Sequence, residues 1–362
     1  MTPELLAKRV NILVRECESY NETRAQDRIK AMEYYNGEMR DVPVDDGRSK
    51  VVSRDVRAAI KKVLPSVVRT ILGNDEVVEY QPMGEGDEAR SGEASDYINY
   101  VVLPECGGRV AIEDAINDAL RLRNGILTWW YEEKKEIQSS SHTGLPDDAF
   151  SQLVSDDSVS VTAHTTRTEQ VTTQDGQEAS IQVHDVDIRR EIVSRKPKAA
   201  VVPPEEFLIH PDAIRIPDSP IVGRKTTQRR GDLVAMGYDK TQIENLPVSS
   251  ARSDDEKIER KDYSESGSDE SDADWSMQEV DYYELYVRLD QDGDGIAELC
   301  RLCFGGDIDA DGLLANDQCD EAPFADIVCE RKPHDWEGIS VADDAMEIQK
   351  IKSVLLRQTL DN

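Results

Sequence analysis

The sequence predicts an α+β protein in which helices and antiparallel strands are intermixed. Three observations predict it. Apolar residues recur at three- and four-residue steps over long stretches near both ends of the chain, as amphipathic helices require. Short alternating runs bounded by Gly, Pro and Asp fill the middle and read as strands. The two kinds of segment follow each other along the chain, which argues for a mixed body rather than a bundle. At 362 residues the chain is long enough for two or three domains with buried cores.

The elements follow in order. From Pro3 to about Met39, Leu5, Leu6, Val10, Leu13, Val14 and Cys17 form one helical stripe, and Ile29, Met32 and Tyr35 a second, with Asn36-Gly37 as the stop. After a loop from Asp41 to Lys50, Ser53 is placed to cap a helix striped by Val56, Ile60, Val63, Val67 and Ile71. Pro65 should bend it. Its other face carries Arg54, Arg57 and Lys61. Val77 to Gln81 reads as a short strand, and Glu88 to Leu103 and Val110 to Arg123 as two helices. Ile126 to Glu132 is a strand, and residues 133–157, polar in character with Ser139 to Ser141 and several acids, read as a long surface loop.

Val159, Val161 and Ala163 alternate, as do Ile181 and Val183, around Asp175-Gly176, which predicts a hairpin whose register the pattern does not fix. Val186 to Val193 reads as a further strand, and the Phe207 segment as a buried strand ending at Pro211. Asp232 is placed to cap a short helix ended by Gly237. Ser249 to Ser276 is acidic and of low complexity, and reads as a flexible loop because it offers too little apolar area to fold. Tyr282 to Leu289 and Ile296 to Phe304 form a hairpin around an Asp-Gly turn, and Phe324 to Cys329 one more strand.

The clearest helix comes last. Ser340 and Asp343 are spaced as a capping box, and Val341, Ala345, Ile348, Ile351, Leu355 and Thr359 make one stripe flanked by Leu356 and Leu360, which predicts a packed helix. No Gly or Pro follows Leu360, so the chain is expected to be the N-terminal part of something longer, with Asn362 able to act as a C-cap.

Charge narrows the function classes. The net charge is −31, and residues 251–330 hold 25 Asp and Glu against 6 Lys and Arg. Such a surface cannot wrap nucleic acid tightly, since that needs Lys and Arg on phosphates, although it allows DNA to slide past. The stretch from Arg48 to Arg69 is the basic counterpart. Six scattered cysteines, no signal peptide and no run of membrane-span length place the chain in a reducing cytoplasm with free thiols.

Each candidate chemistry has a plainer explanation. Asp290, Asp292, Asp294 and Gly295 match the opening of a calcium loop, but the twelfth position is Arg301 and the flanks read as strands, so an Asp-Gly turn accounts for them. Cys300 and Cys303 lack a correctly spaced second pair for zinc, and on a strand that spacing points them to opposite faces. Neither a phosphate loop nor a nucleophile elbow is found, and the five histidines sit in no catalytic motif, so no enzyme, catalytic residue or cofactor is expected.

Three ordered segments resemble portal proteins of short-tailed double-stranded DNA phages: Val201-Val-Pro-Pro-Glu-Glu-Phe-Leu-Ile-His-Pro-Asp212 with Asp218 and Arg224, then Arg230-Gly-Asp-Leu-Val-Ala-Met-Gly-Tyr-Asp239, then Gly338 to Asp343 with the helix to Asn362. Asp46 to Ser53 matches more loosely. The resemblance implies a non-enzymatic homo-oligomeric ring, commonly of twelve subunits, at one capsid vertex of the virion, assembled in the host cytoplasm. DNA passes through it non-specifically. The implied partners are the terminase motor, the major capsid and scaffolding proteins and the tail adaptor proteins, with no membrane.

By this analogy residues 1–247 form the portal body (wing- or hip-like), 248–276 an acidic loop, 277–335 a strand-rich acidic segment (clip- or stem-like) and 336–362 a long helix. The expected assembly contacts are Val341, Ile348, Ile351, Leu355 and Arg357 on that helix and Tyr286 and Glu298 on the hairpin, with Arg54, Arg57 and Lys61 meeting DNA phosphates. Two other readings compete: a calcium-responsive module built on Asp290, Asp292 and Asp294, and a metal-dependent nuclease.

Overall fold

The computed structural model describes residues 1–84, 86–156, 158–172, 178–249, 255–261 and 274–362. The chain divides into two compact units, one of Met1–Trp129 with Ala199–Asn362 and one of Trp130–Lys198. This division differs from the expected one, because the strand-rich stretch 277–335 shares its sheet with strands from before residue 247.

The larger unit begins with α1 (Pro3–Asn36), capped by Thr2 and ended by Gly37 at φ 86°. Glycine suits that left-handed turn, which strains any other residue. Next come α2 (Asp55–Leu72), which runs on through Pro65, and α3 (Glu88–Tyr97), which leads through a π-turn at Ile98–Val102 into the short α4 (Leu103–Glu105). Helix α5 (Gly108–Leu122) follows. The strand expected at Val77 to Gln81 does not form, since no strand lies beside it. Its amides are satisfied by side chains instead: those of Val77 and Val78 donate to Asn99 Oδ1 and that of Tyr80 to Ser95 Oγ.

Strand β1 (Asn124–Pro146) starts in this unit, and Gly125 crosses α5 so closely that an added Cβ would overlap the Ala115 carbonyl oxygen. In the smaller unit β1 runs on to Pro146, where a loop was expected, and is followed by α6 (Asp147–Val154). Strands β2 (Val159–Thr172) and β3 (Glu178–Val202) pair antiparallel from Val159↔Arg190 to Thr172↔Glu178. The hairpin is therefore as expected, its turn at Asp175-Gly176 lies outside the described residues, and the separate strand at Val186 to Val193 is part of β3.

The chain re-enters the larger unit through β3 and adds β4 (Phe207–Ile209), β5 (Ile221–Arg229), α7 (Arg230–Ala235) and α8 (Lys240–Glu244). Arg229 rather than Asp232 stands at the start of α7, and Asp232 lies in its first turn. Helix α9 (Asp255–Lys261) follows, within the stretch expected to be a flexible loop; the rest of that acidic sequence from 262 to 273 lies outside the described residues. Then come β6 (Glu279–Leu289), β7 (Glu298–Gly305), β8 (Leu313–Gln318), β9 (Phe324–Val328) and α10 (Val341–Asp361).

Strands β4 to β8 make one antiparallel sheet in chain order, and β9 pairs with the start of β1. Period-two alternation sorts β6: Tyr283, Leu285, Val287 and Leu289 face the first half of α1 (Leu6, Val10, Val14, Cys17), while Val280, Tyr282 and Tyr286 fill two other cores. The second half of α1 packs through Met32 and Tyr34 against α2, α5 and Ala342 of α10.

Helix α9 is held electrostatically rather than by apolar area. Its Glu256 accepts from Arg28 Nε at 2.6 Å and Nη2 at 3.0 Å, its Arg260 reaches both oxygens of Glu205 at 2.9 Å, and its Glu259 lies 3.0 Å from Arg40. Composition suggested a solvated loop because the opposing charges sit far away in sequence, on α1 and before β4.

Candidate assembly surface

Helix α10 opens with the expected capping box: the Ser340 hydroxyl accepts from the Asp343 amide at 3.0 Å, and the Asp343 carboxylate accepts from the Ser340 amide at 2.9 Å. Arg123 Nε donates to the same carboxylate at 3.0 Å, and its Nη1 to Glu337 at 2.9 Å. Burial works to raise the Asp343 carboxyl, but Arg123 and the Ser340 hydroxyl and amide outweigh it and hold Asp343 below the usual carboxylate range. A carboxylate with a depressed folded pKa contributes stability that is present above its unfolded value, near about pH 4, and lost as pH falls through the folded value. Thermal melts of the native chain and Asp343→Asn should therefore differ at neutral pH and converge on acidification below that value. A gap that stays constant would rule out this role for Asp343.

After its first turns, which pack Val341, Ala342, Ala345 and Met346 on the core, the inward face of α10 is polar, contrary to the packed apolar stripe the periodicity predicts along its whole length. Gln349, Ser353 and Arg357 recur at four-residue steps and are buried. The reason is what lies beneath them. The segment from Asp41 to Arg54 is neither helix nor paired strand, and on either side of it lie the last turn of α1 and the first turn of α2, so backbone groups in all three need side-chain partners. Gln349 Oε1 accepts from the Val56 amide at 2.9 Å while its Nε2 donates to the Tyr34 carbonyl at 2.8 Å. Ser353 Oγ accepts from the Ser53 amide at 3.0 Å, and Arg357 donates to the carbonyls of Val51 at 2.9 Å and Val42 at 3.4 Å. Lys350 and Lys352 pair with Asp41 and Asp55 at 3.0 and 2.6 Å.

The apolar stripe consequently faces out. Ile348 is 61% exposed, Ile351 62%, Leu355 58% and Leu360 62%, with Leu356 beside them. Of the expected α10 contacts two turn inward, Val341 as a half-buried residue against the core and Arg357. Arg357 and Tyr286 serve the protomer itself: Tyr286 is core, with its hydroxyl donating to Glu284 at 3.1 Å. Glu298 is half-buried at the start of β7, opposite Leu289.

The basic face of α2 is only partly free. Arg54 and Lys61 are exposed, with the Arg54 side chain lying against Gly37. The Arg57 guanidinium sits over the Tyr35 ring at 5.4 Å, with that of Arg121 at 4.2 Å from the same ring. Ser53 does not cap α2 directly; its hydroxyl meets the Asp55 carboxylate.

Asp290, Asp292 and Asp294 do converge, each offering an oxygen within 4.8 Å of the others. The same carboxylates bind their own loop: Asp290 accepts from the amides of Gly293 and Gly295 at 2.6 and 3.0 Å, Asp292 from Asp294 at 3.0 Å and Asp294 from Ile296 at 2.7 Å. That is the Asp-Gly turn of a hairpin, with both glycines at φ near 90°. Cys300 and Cys303 are buried free thiols, as is Cys17.

Sequence reasoning missed the inward Gln349, Ser353 and Arg357, whose four-residue spacing was visible but competed with a stronger apolar stripe. It also passed over Arg28, Glu256 and Glu337, which carried no signal because they are distant in sequence.

The fold is thus an α+β subunit whose last helix leaves Ile348, Ile351, Leu355 and Leu360 open to solvent. The family model described as phage SU10 portal protein matches residues 6–362, and the chain belongs to that family. No curated protein matches the chain. Membership makes it a phage portal protein, a component of the virion's head-to-tail connector. Among the described residues no helix is long and apolar enough to cross a membrane.

Proposed function

We propose that the chain is a non-enzymatic portal subunit that forms a ring at one capsid vertex, a conduit for DNA packaging and ejection and a docking site for the terminase motor and tail adaptor proteins. The family match over residues 6–362 carries this reading. The outward stripe of α10 supports it, because a soluble chain leaves such a surface open chiefly where another surface covers it. A ring needs two different complementary patches rather than one self-complementary one. In this reading Ile348, Ile351 and Leu355 form one patch. Arg54 and Lys61 remain the candidates for phosphate contact, with Arg57 restrained on Tyr35, and the acidic remainder of the surface keeps DNA from being gripped.

The test is native mass determination with particle imaging of the chain and of Ile351→Asp combined with Leu355→Asp. The native chain should form rings with an axial hole, and the variant should remain folded, within about 0.5 kcal/mol per exposed substitution, yet monomeric. Rings from the variant would remove α10 from the interface, and monomers from the native chain at assembly concentrations would sink the ring reading.

A further inference from the structure

The smaller unit contains a cluster of titratable side chains that fastens one helix. The register of β2 and β3 sets Thr166 opposite His184 and His164 opposite Val186, so the two histidines are diagonal neighbours on one face of the hairpin. His164 Nε2 lies 2.8 Å from His184 Nδ1. The other nitrogen of His184, Nε2, lies 2.6 Å from Oδ1 of Asp147, the first residue of α6. One turn further along α6, the Phe150 ring stacks over both imidazoles, with centroids 4.6 and 4.4 Å apart and planes within 8° and 16°.

Little else holds α6 in place. The helix contains no fully buried residue. Among the described residues, Asp147 alone of α6 makes a hydrogen bond or ion pair to β2 or β3. Other charges nearby are already engaged: on β3 Asp185 binds Arg167 of β2 at 3.3 Å and the Gly144 amide at 2.7 Å, Arg167 also meets Glu169, and on β1 His142 pairs with Ser140. Thr166 Oγ1 stands 3.4 Å from His184 Nδ1.

The hydrogen bonds fix how many protons the cluster accepts. With both imidazoles neutral, His184 Nε2–H donates to the Asp147 carboxylate, and His184 Nδ1 accepts from His164 Nε2–H. A first added proton goes to Nδ1 of His164 and leaves every bond in place, because the imidazolium still donates through Nε2. A second must go to Nδ1 of His184, the nitrogen that was accepting, or to Asp147. On His184 it sets two N–H groups and two cations against each other; on Asp147 it removes the carboxylate that neutralises the pair.

We propose that His164, His184, Asp147 and Phe150 form a proton-sensitive clasp that holds α6 on the β2–β3 hairpin near neutral pH and releases it when both histidines are charged. Both added protons are taken up on acidification, so release lies on the acid side of neutrality.

Hydrogen exchange of residues 147–154 in the full chain tests this, corrected for intrinsic rate, between about pH 8 and about pH 5. Protection of α6 should fall at least about tenfold on acidification while β6 and β7 stay protected. His164→Gln replaces the ring that takes the first proton with an amide whose oxygen can turn to accept from a protonated His184, so this variant should keep α6 protected at the acidic end. Imidazole nitrogen spectra of the native chain give an independent readout: His184 should carry its proton on Nε2 at neutral pH. Unchanged α6 protection across the range, release in His164→Gln at the same pH as the native chain, or the opposite His184 tautomer would each overturn the clasp.

Discussion

Arg28→Ala is expected to lower the unfolding free energy by about 3–5 kcal/mol, the cost of leaving buried charge without its partner. Arg28 is 4% exposed, Glu256 1% and Glu337 5%. Two N–H groups of Arg28 bind Glu256, and a third reaches Glu337 at 3.3 Å. Removal of the guanidinium takes from Glu256 its two-pronged partner and from Glu337 one of its cations, Arg123 remaining at 2.9 Å, in a site that water enters poorly, and it removes the ion pair that ties α9 to α1. Burial already pushes the Glu256 carboxyl above its ordinary value, with Arg28 pulling the other way.

The sign of the pH dependence follows. A carboxyl with a raised folded pKa destabilises the fold as pH rises from its unfolded towards its folded value, and without Arg28 that rise is larger. The deficit of Arg28→Ala should therefore be greatest near neutral pH and shrink on acidification into the ordinary carboxylate range, where Glu256 is protonated in the folded and the unfolded chain alike. Denaturant unfolding at neutral and at acidic pH measures it. A loss under about 1 kcal/mol at neutral pH would mean that α9 contributes nothing to the fold.

Gln349→Leu is expected to cost about 1–3 kcal/mol even though it replaces a polar side chain with an apolar one of similar size on a buried helix face. A buried backbone group left without a partner costs about that much, and the substitution orphans the Val56 amide, while the Tyr34 carbonyl loses one of its two donors and keeps the Gly37 amide at 3.2 Å. Intuition from the sequence points the other way, since leucine would extend the apolar content of α10. Unfolding of this variant beside Ile351→Leu, on the outer face, separates the two faces: the second should be close to neutral. A neutral or stabilising Gln349→Leu would show that the inner face of α10 does not depend on those two bonds.

The difference between those faces explains what the sequence made legible. Helices with a core on one side, such as α1 and α5, show in the apolar period, and the β6–β7 hairpin shows in its alternation around Asp290 to Gly295. The capping box of Ser340 and Asp343 is local and was readable for that reason. The orientation of α10 was not, because periodicity reveals a stripe but not its partner, and here the inner partner is loop backbone that demands polar side chains. The continuation of β1 past residue 132 gave no alternation because both of its faces there are largely exposed. The clasp at His164 and His184 needed the hairpin register, which the turn residues alone did not specify. Tyr286 and Arg357 were assigned to assembly from position alone, whereas their hydrogen bonds belong to the protomer.

The sheet carries a last consequence in its connectivity. Arg229, at the end of β5, and Glu279, at the start of β6, are paired residues, and the Arg230 amide donates to the Gln278 carbonyl at 2.9 Å. Everything between them is a detour whose two ends meet at adjacent rungs. Leu233, Ile243 and Leu246 tether the first part of that detour to the core, and Arg28 and Glu205 tether α9. The register of β5 on β6 is therefore set at the rungs themselves and not by the length of chain that runs between them, since the cost of closing a longer connection grows only logarithmically with its length.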